Sequence, residues 1–163
     1  MPVVSFDSLP ADARVWVFAA DRPVTGAAAE RLLGEVNAFL ARWQAHGTPL
    51  TCAREWRDDR FLAVGVDQSA AGASGCSIDG MFRLLQSLER SLGASLVGGG
   101  RVSYRDGVGE IRSASRDEFS ELAASGRVTP ETPVFDATVA THDDWRGRFE
   151  VRAGEAWTAS LLS

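Results

Sequence analysis

Two segments of this chain carry apolar residues at the spacing of an amphipathic helix, and they constrain the fold more than any other feature. In residues 27–45 and again in residues 78–92, apolar side chains recur three and four positions apart. A helix of this kind must bury one face against another layer of the protein. The apolar positions are Leu32, Leu33, Val36, Phe39, Leu40, Trp43, Ile78, Met81, Phe82, Leu85, Leu88 and Leu92.

Short runs rich in β-branched and aromatic residues surround the two helical segments. They predict strands at residues 14–20, 50–57, 60–67 and 101–105. The polar Arg57-Asp58-Asp59-Arg60 predicts a hairpin turn between the second and third strands. The resulting order of strand, helix, strand, strand, helix and strand is that of a ferredoxin-like βαββαβ unit. We therefore predict an α+β two-layer sandwich over residues 13–105, preceded by an extended lead-in at residues 1–12.

The remaining residues, 106–163, do not fit that unit and predict a small α+β extension packed on it. Strands are expected at 109–113 and 132–140, and a helix at 117–124. Ser115 is the expected N-cap of that helix, and Glu118 completes a capping box. His142-Asp143-Asp144 is expected to form a solvated polar turn.

One edge of the predicted sandwich gathers the residues that we select as a candidate ligand site. We expect the first and third strands to run parallel, so that both helices begin at the same edge. Asp21-Arg22-Pro23 would then lie beside the glycine-rich stretch before the second helix. The predicted ligand-binding residues are Arg22, Gly75, Cys76, Ser77 and Asp79.

The chemistry of that edge suits a small anion, since backbone N–H groups at a helix start bind phosphate or carboxylate. Arg22 would add charge-assisted hydrogen bonds. The same residues also fit a helix start without a ligand, in which Asp79 complements the helix dipole and pairs with Arg22. A third hypothesis is thiol chemistry, because a cysteine near a helix N-terminus has a lowered pKa. In that case Cys76 is the catalytic residue of an enzyme or the thiol of a redox sensor.

Composition excludes several classes of function. The net charge of -5 argues against nucleic-acid binding. All 17 basic residues are arginine, so the chain has neither a P-loop lysine nor a Schiff-base lysine. The absence of a long apolar run and of a signal-like start predicts a soluble, cytoplasmic protein that binds no membrane. The spacing of Cys52, Cys76, His46 and His142 matches no zinc motif, so we predict no metal and no cofactor.

Two resemblances to known families accompany these patterns. The first covers most of the chain through Arg14-Val15-Trp16-Val17-Phe18, Trp43-Gln44-Ala45-His46-Gly47 and Ser74-Gly75-Cys76-Ser77-Ile78-Asp79. On these residues the chain resembles a small uncharacterised family of bacterial proteins with a GCSID motif. Members of that family are sometimes loosely labelled ABC transporter ATPase. The resemblance implies no particular activity, and this chain lacks the P-loop that such a label requires.

The second resemblance covers residues 101–140. It is carried by Val102-Ser103-Tyr104-Arg105-Asp106-Gly107, Glu118-Phe119-Ser120-Glu121-Leu122, Gly126-Arg127-Val128-Thr129-Pro130 and Thr132-Pro133-Val134-Phe135. These runs resemble bacterial GYF-like domains, in which a strand, a short helix and a strand follow in this order. The resemblance implies an adaptor whose aromatic surface binds proline-rich peptides. It also places residues 102–104 in the extension, whereas the βαββαβ order places them in the first unit.

The sequence therefore predicts a binding or protein-interaction module rather than an enzyme, because one thiol without an assembled acid–base partner does not make a catalytic site. The resemblance implies that Tyr104 and Phe135 are contact aromatics. Trp145 and Trp157 follow polar or small residues, which leaves two alternatives, an exposed contact surface or buried packing. The expected partner is a protein or peptide, or a small anionic ligand at the Arg22/Cys76 edge, and a homodimer is left open.

Overall fold

The structure is a computed structural model that describes residues 3–45, 47–71 and 78–162. Its first sheet has three strands in the order β1-β5-β4. These strands are β1 (Arg14–Ala19), β4 (Cys52–Arg57) and β5 (Phe61–Val66), and a short ribbon of β2 (Gln44–Ala45) and β3 (Thr48–Pro49) precedes β4. The predicted hairpin is present between β4 and β5, with Asp58 and Asp59 at φ of 56° and 57°. Two successive residues with positive φ are typical of the turn that matches the twist of paired strands.

Two helices, α1 (Gly26–Arg42) and α3 (Asp79–Leu92), cover one face of this sheet. A single helical turn, α2 (Gln68–Ala71), comes between β5 and α3 in the chain. Gly93 ends α3 in the left-handed conformation, with φ of 68°, which costs a glycine little because it has no Cβ. The apolar faces of α1 and α3 form one core with the sheet, as their spacing predicts, around Leu32, Val36, Leu40, Met81, Leu85, Leu62 and Val64.

The first and third predicted strands, β1 and β5, are antiparallel, and the expectation that they run parallel is wrong. Arg14 pairs with Val66, and Ala19 pairs with Phe61. The reason is geometric, since the tight hairpin reverses the chain between β4 and β5. As a result α1 follows the end of the sheet that holds Ala19 and Phe61. Helix α3 follows the other end, which holds Arg14 and Val66.

The second sheet has four antiparallel strands in the order β7-β6-β8-β9. They are β6 (Val102–Arg105), β7 (Ile111–Ala114), β8 (Pro133–Phe135) and β9 (Glu150–Arg152). The placement of residues 101–105 in the first sheet is therefore wrong, because β6 pairs with β7 and β8. Four residues are too few to indicate their partner from sequence. Among the described residues, the first sheet consequently has three strands and no fourth strand beside β1.

Helix α4 (Arg116–Ala124) carries the predicted capping box, with Ser115 and Glu118 each bonded to the other's backbone N–H. The expected polar turn at 142–144 is instead the start of α5 (His142–Arg148), capped by the Thr141 side chain. His142 is buried, and its ring packs edge-on against Phe6 at 5.1 Å. Short 3-10 turns at Phe6–Ser8, Ala153–Glu155 and Trp157–Leu161 complete the described chain.

Residues 102–162, with the second sheet, α4 and α5, are called the second unit, and they pack on the face of the first sheet that α1 and α3 leave uncovered. Phe61 of β5 lies 4.7 Å from Phe135 and 5.0 Å from Phe149, measured between ring centroids. Trp145 joins the same core and donates from its Nε1 to Glu55 Oε2 at 2.5 Å. The three-stranded sheet is thus buried on both sides, which explains why all six residues of β5 are buried.

Candidate functional site

Of the residues predicted at the Arg22/Cys76 edge, the structure describes Arg22 and Asp79, and it does not bring these two together. Asp79 is the first residue of α3, where Gly80 approaches Phe39 near the end of α1. Arg22 lies at the other end of α3, since the neighbouring Asp21 exchanges hydrogen bonds with Ser95. The Arg22 side chain is 67% exposed, and its ion pair is with Asp21 at 3.9 Å. An Arg22–Asp79 pair is therefore wrong, because the antiparallel sheet separates the two residues.

Gly75, Cys76 and Ser77 lie outside the described residues, as does His46. The thiol hypothesis for Cys76 stays a prediction. The other cysteine, Cys52, is buried on β4, and its Sγ donates to the Leu40 carbonyl oxygen at 3.5 Å. Among the described residues, no three His, Cys, Asp or Glu side chains lie close enough to hold a metal ion. The described helices include none that is long and apolar enough to cross a membrane.

The four predicted contact aromatics differ in burial. Phe135 and Trp145 are 5% and 4% exposed, and both belong to the core between the two units. Of the two alternatives for Trp145, the structure shows buried packing. Tyr104 is half-buried against Phe119 at 5.6 Å, and Trp157 is half-buried under the guanidinium of Arg116 at 5.1 Å. These residues do not form a common exposed aromatic surface.

A cleft of about 460 Å³ lies along the outer edge of β1, between the first unit and the second. We call it the edge cleft. Its floor is the stretch Val17–Ala19 of β1, and Phe82 of α3 forms one wall. The opposite wall belongs to the second unit and contains Phe135 and Trp157. The loop of residues 95–101 closes the side between them. This volume lies within the range of small-molecule sites.

Phe82 gives the edge cleft an accessible apolar surface. Helical spacing assigned Phe82 to the core, yet its side chain is 40% exposed and packs edge-on against Phe18 at 5.1 Å. A phenylalanine this exposed loses hydrophobic stabilisation that covering it would restore, at about 25 cal/mol per Å² of apolar surface removed from water. The edge cleft therefore favours an occupant with an apolar body.

The Glu89 carboxylate binds the first residues of the loop of residues 95–101. Glu89 Oε2 accepts hydrogen bonds from the N–H groups of Leu96 and Val97 at 2.5 and 3.0 Å. It also accepts from the Ser95 hydroxyl at 3.2 Å. The Gly98-Gly99-Gly100 run follows, with Gly99 and Gly100 at φ of 63° and 69°. Sequence analysis did not assign this run to a site, but the structure makes it a wall of the edge cleft.

Two guanidinium groups and one carboxylate line the edge cleft, from Arg101, Arg116 and Asp21. Arg101 Nε donates to the Ser113 hydroxyl at 2.8 Å. Arg116 is positioned twice, by the Trp157 ring and by a hydrogen bond from its Nε to the Gly100 carbonyl at 3.3 Å. Since arginines outnumber acids here in a chain of net charge -5, the edge cleft is a local cationic region.

Behind Asp21 lies a buried cation, Arg60, which is 8% exposed. Its Nη2 donates to the Ile111 carbonyl at 3.0 Å, and so links the two sheets. Burial lowers the pKa of the Arg60 guanidinium, while the negative charge of Asp21 raises that pKa and the positive charge of Arg112 lowers it. The buried cation Arg60 and the carboxylate of Asp21 thus carry opposite charges near each other.

Fold and site together define an α+β protein of two antiparallel sheets, with a ligand-sized cleft along the open edge of the first. Comparison of the chain with protein-family models, with curated proteins and with solved structures finds no match in any of the three. The residues of the edge cleft are spread from Val17 to Trp157, and no local motif unites them. Of the residues that line it, the sequence had pointed to Phe135 and Trp157 as candidate contact aromatics and had placed Asp21 beside the predicted ligand site.

Proposed function

We propose that this protein binds a small ligand in the edge cleft, and that the ligand joins an apolar or aromatic body to a carboxylate or phosphate. The observation that carries the proposal is the combination of an exposed apolar wall at Phe82 with the guanidinium groups of Arg101 and Arg116 in one cleft. Ligand sites are commonly apolar concavities with a few placed polar groups.

The charged part of the ligand follows from the geometry of Arg116. Its guanidinium is fixed against Trp157, so a ligand that binds it loses little further side-chain entropy. A planar guanidinium presents paired donors that match a carboxylate or a phosphate. The two arginines therefore select for an anion at this wall.

Binding without catalysis agrees best with the side chains that line the edge cleft. Among the described residues, its lining includes neither a histidine nor a cysteine, and Asp21 is engaged with Ser95. Acid–base and nucleophilic mechanisms need several converging reactive groups. The anionic ligand predicted from sequence is retained in this proposal, but its site is the edge cleft and not the Arg22/Cys76 edge.

We also propose that the first unit is related in topology to ferredoxin-like domains and the second unit to GYF-like domains. In the first unit, β1, α1, β4, β5 and α3 follow the ferredoxin-like order up to its last strand. In the second, β6, α4 and β8 follow the order of GYF-like domains, with β7 inserted. Peptide binding through a GYF-like aromatic surface is not part of this proposal, because Phe135 is buried and Tyr104 is half-buried.

Isothermal titration with 3-phenylpropionate and its uncharged counterpart 3-phenylpropionamide tests the proposal. We expect the carboxylate to bind wild-type protein and the amide to bind at least about tenfold more weakly, as expected for loss of one charge-assisted hydrogen bond. Arg101→Gln and Phe82→Ala should each weaken the carboxylate. Arg127→Gln, an exposed arginine outside the edge cleft, is the matched control. Equal affinities for all variants, or no binding of any apolar anion, would contradict the proposal.

A further inference from the structure

The outer edge of β1 carries backbone groups that the described chain leaves unpaired. In an antiparallel pair, the N–H and C=O of one residue point to the same side, and successive residues alternate sides. Ala20 donates its N–H to the Arg60 carbonyl, on the side of β5. Residues 15, 17, 19 and 21 therefore present their backbone groups to the outer side.

Both ends of this outer edge are bonded. Val15 donates its N–H to the Ala140 carbonyl at 2.9 Å, and Asp21 donates to the Ser95 carbonyl at 3.1 Å. Between them, the hydrogen bonds of the described residues include none from the outer side to the N–H or C=O of Val17 or Ala19. Those two residues form the floor of the edge cleft. The unpaired length is thus one short strand segment with closed ends.

The outer edge of β1 is open at Val17 and Ala19 because the neighbouring segments of the chain pair elsewhere. A ferredoxin-like sheet would place its last strand beside β1, but the corresponding segment here, β6, pairs in the second sheet. The segment around Ala140 covers only the beginning of β1, where Arg14 forms an isolated bridge with Thr141. Toward Ala137 and Thr138 the chain diverges from β1 and becomes a wall of the edge cleft.

We infer that the ligand of the edge cleft is a short extended peptide segment, which adds to β1 as a strand through the backbone groups of Val17 and Ala19. This inference rests on the proposed function and narrows it to one ligand class. A peptide supplies N–H and C=O groups at the spacing that an open strand edge requires. The carboxylate is an acidic side chain or the C-terminus of the segment, held by Arg101 or Arg116.

The walls of the edge cleft set the sequence preference of such a segment. Side chains of an added strand alternate between the two faces of the sheet. On one face they would lie beside Phe18 and Phe82, and on the other beside Val17 and Phe135. Apolar residues at successive positions are therefore accommodated on both faces. The bonded ends at Val15 and Asp21 limit the paired stretch to a few residues.

The test uses the acetylated peptide Val-Phe-Val-Asp and versions of it that carry one N-methylated amide. N-methylation removes a single backbone donor. Because strand pairing uses alternate amides, we expect methylation at alternate positions to weaken binding about tenfold or more, and methylation at the others to change it little. Equal effects at every amide would overturn the inference, since a ligand held by side chains alone has no such alternation.

Ala19→Pro is the matching change in the protein. Proline removes the outward N–H of residue 19 and leaves the β1–β5 ladder intact, since edge strands tolerate proline on their open side. Ala19→Ser, which keeps the N–H, is the control. We expect peptide affinity to fall about tenfold or more for Ala19→Pro alone. Circular dichroism establishes that both variants are folded. If Ala19→Pro is unfolded, amide exchange of wild-type Val17 and Ala19 decides instead, and it must slow when the peptide binds.

The outcomes separate this inference from the proposed function. If 3-phenylpropionate binds and depends on Arg101, while the peptide neither binds nor protects Val17 and Ala19, the peptide inference is wrong and the proposed function stands. If neither probe binds, both are wrong. A concentration-dependent dimer that protects the same two amides without any peptide would assign the open edge to a second copy of the chain, and would likewise overturn the inference.

Discussion

Asp21 and Ser95 hold each other by two hydrogen bonds. The Asp21 N–H donates to the Ser95 carbonyl at 3.1 Å, and the Ser95 N–H donates to Asp21 Oδ1 at 2.9 Å. This pair joins the end of β1 to the loop after α3, and so closes one end of the edge cleft. It places the loop of residues 95–101 where it can form a wall.

Replacing Asp21 tests how much that pair stabilises the protein. Asp21→Ala leaves the Ser95 N–H without its acceptor and removes the negative charge near the buried Arg60. We expect the free energy of unfolding, measured in urea, to fall by about 1–3 kcal/mol. Asp21→Asn keeps an acceptor oxygen and should cost less. If alanine and asparagine destabilise equally, the hydrogen bond to Ser95 contributes nothing measurable.

Glu150 joins the two sheets through two arginines. It accepts from Arg105 Nε at 2.7 Å and from Arg57 Nη2 at 3.1 Å, and its side chain is 29% exposed. The hydrogen bond to Glu150 raises the pKa of Arg105, so Arg105 stays charged. We expect Glu150→Ala to lower the free energy of unfolding by about 1–2 kcal/mol, because it leaves two guanidinium groups close together.

The control for Glu150 is Glu155. Glu155 forms an exposed pair with Arg152 at 3.9 Å, and both side chains are more than 60% exposed. Surface pairs of this kind contribute about 0–1 kcal/mol. Glu155→Ala should therefore leave chemical denaturation almost unchanged. Equal losses for Glu150→Ala and Glu155→Ala would show that the Glu150 network stabilises the fold no more than an exposed surface pair does.

The capping box of α4 predicts a pH dependence. The Ser115 N–H donates to Glu118 Oε1 at 2.8 Å, and this bond holds the pKa of the Glu118 carboxyl below its usual value. A depressed carboxyl pKa stabilises the fold above the unfolded-state value, and the stabilisation disappears as the pH falls through the lower, folded-state value. Denaturation midpoints should therefore decline as the solution is made acidic below about pH 4.5.

Glu118→Gln isolates that contribution. Glutamine can complete a capping box and does not titrate, so the variant should lose less stability than wild type over the same acidic range. Asp117→Asn, at the neighbouring exposed position, is the control. If wild type and Glu118→Gln lose stability identically in acid, protonation of the Glu118 carboxyl does not affect the stability of the fold.

Gly65 in the central strand tests the packing of the N-terminal segment. A Cβ at Gly65 would lie 2.6 Å from Leu9 Cδ1 and 3.3 Å from Phe6 Cε1, both on buried side chains. We expect Gly65→Ala to cost about 1–3 kcal/mol through overpacking. The double variant Gly65→Ala with Leu9→Ala should lose less than the sum of the two single changes. Strict additivity would contradict this contact.

Local patterns predicted α1, α3, α4 and the turn between β4 and β5, because the causes of these elements are local, but they missed α5, where a turn was expected. The spacing of Leu32, Val36 and Leu40 predicted the buried face of α1, and Ser115 with Glu118 predicted the start of α4. The same spacing placed Phe82 in the core, whereas it lies at the boundary of core and cleft. Periodicity gives the direction of a side chain around a helix axis but not the extent of the neighbouring layer.

Strand pairing and contacts between segments distant in the sequence were predicted poorly. Residues 102–105 fit either sheet by composition, and their partner was decided by the β7 hairpin and by β8. Because the sequence was taken to place β5 parallel to β1, it predicted Arg22 and Asp79 at one edge, whereas they lie at opposite ends of α3. Arg101, Arg116 and Phe82 meet only because the second unit packs beside β1, and no spacing in the sequence encodes that contact.

Mapping of backbone amide chemical shifts while 3-phenylpropionate is added shows whether the edge cleft is a ligand site. We expect saturable shifts at Val17, Ala19 and the Gly98–Gly100 run, with little change in residues 126–128, which follow α4 and do not line the edge cleft. The same titration of Arg101→Gln should need a higher ligand concentration. Shifts confined to residues outside the edge cleft, or none at all, would contradict the claim.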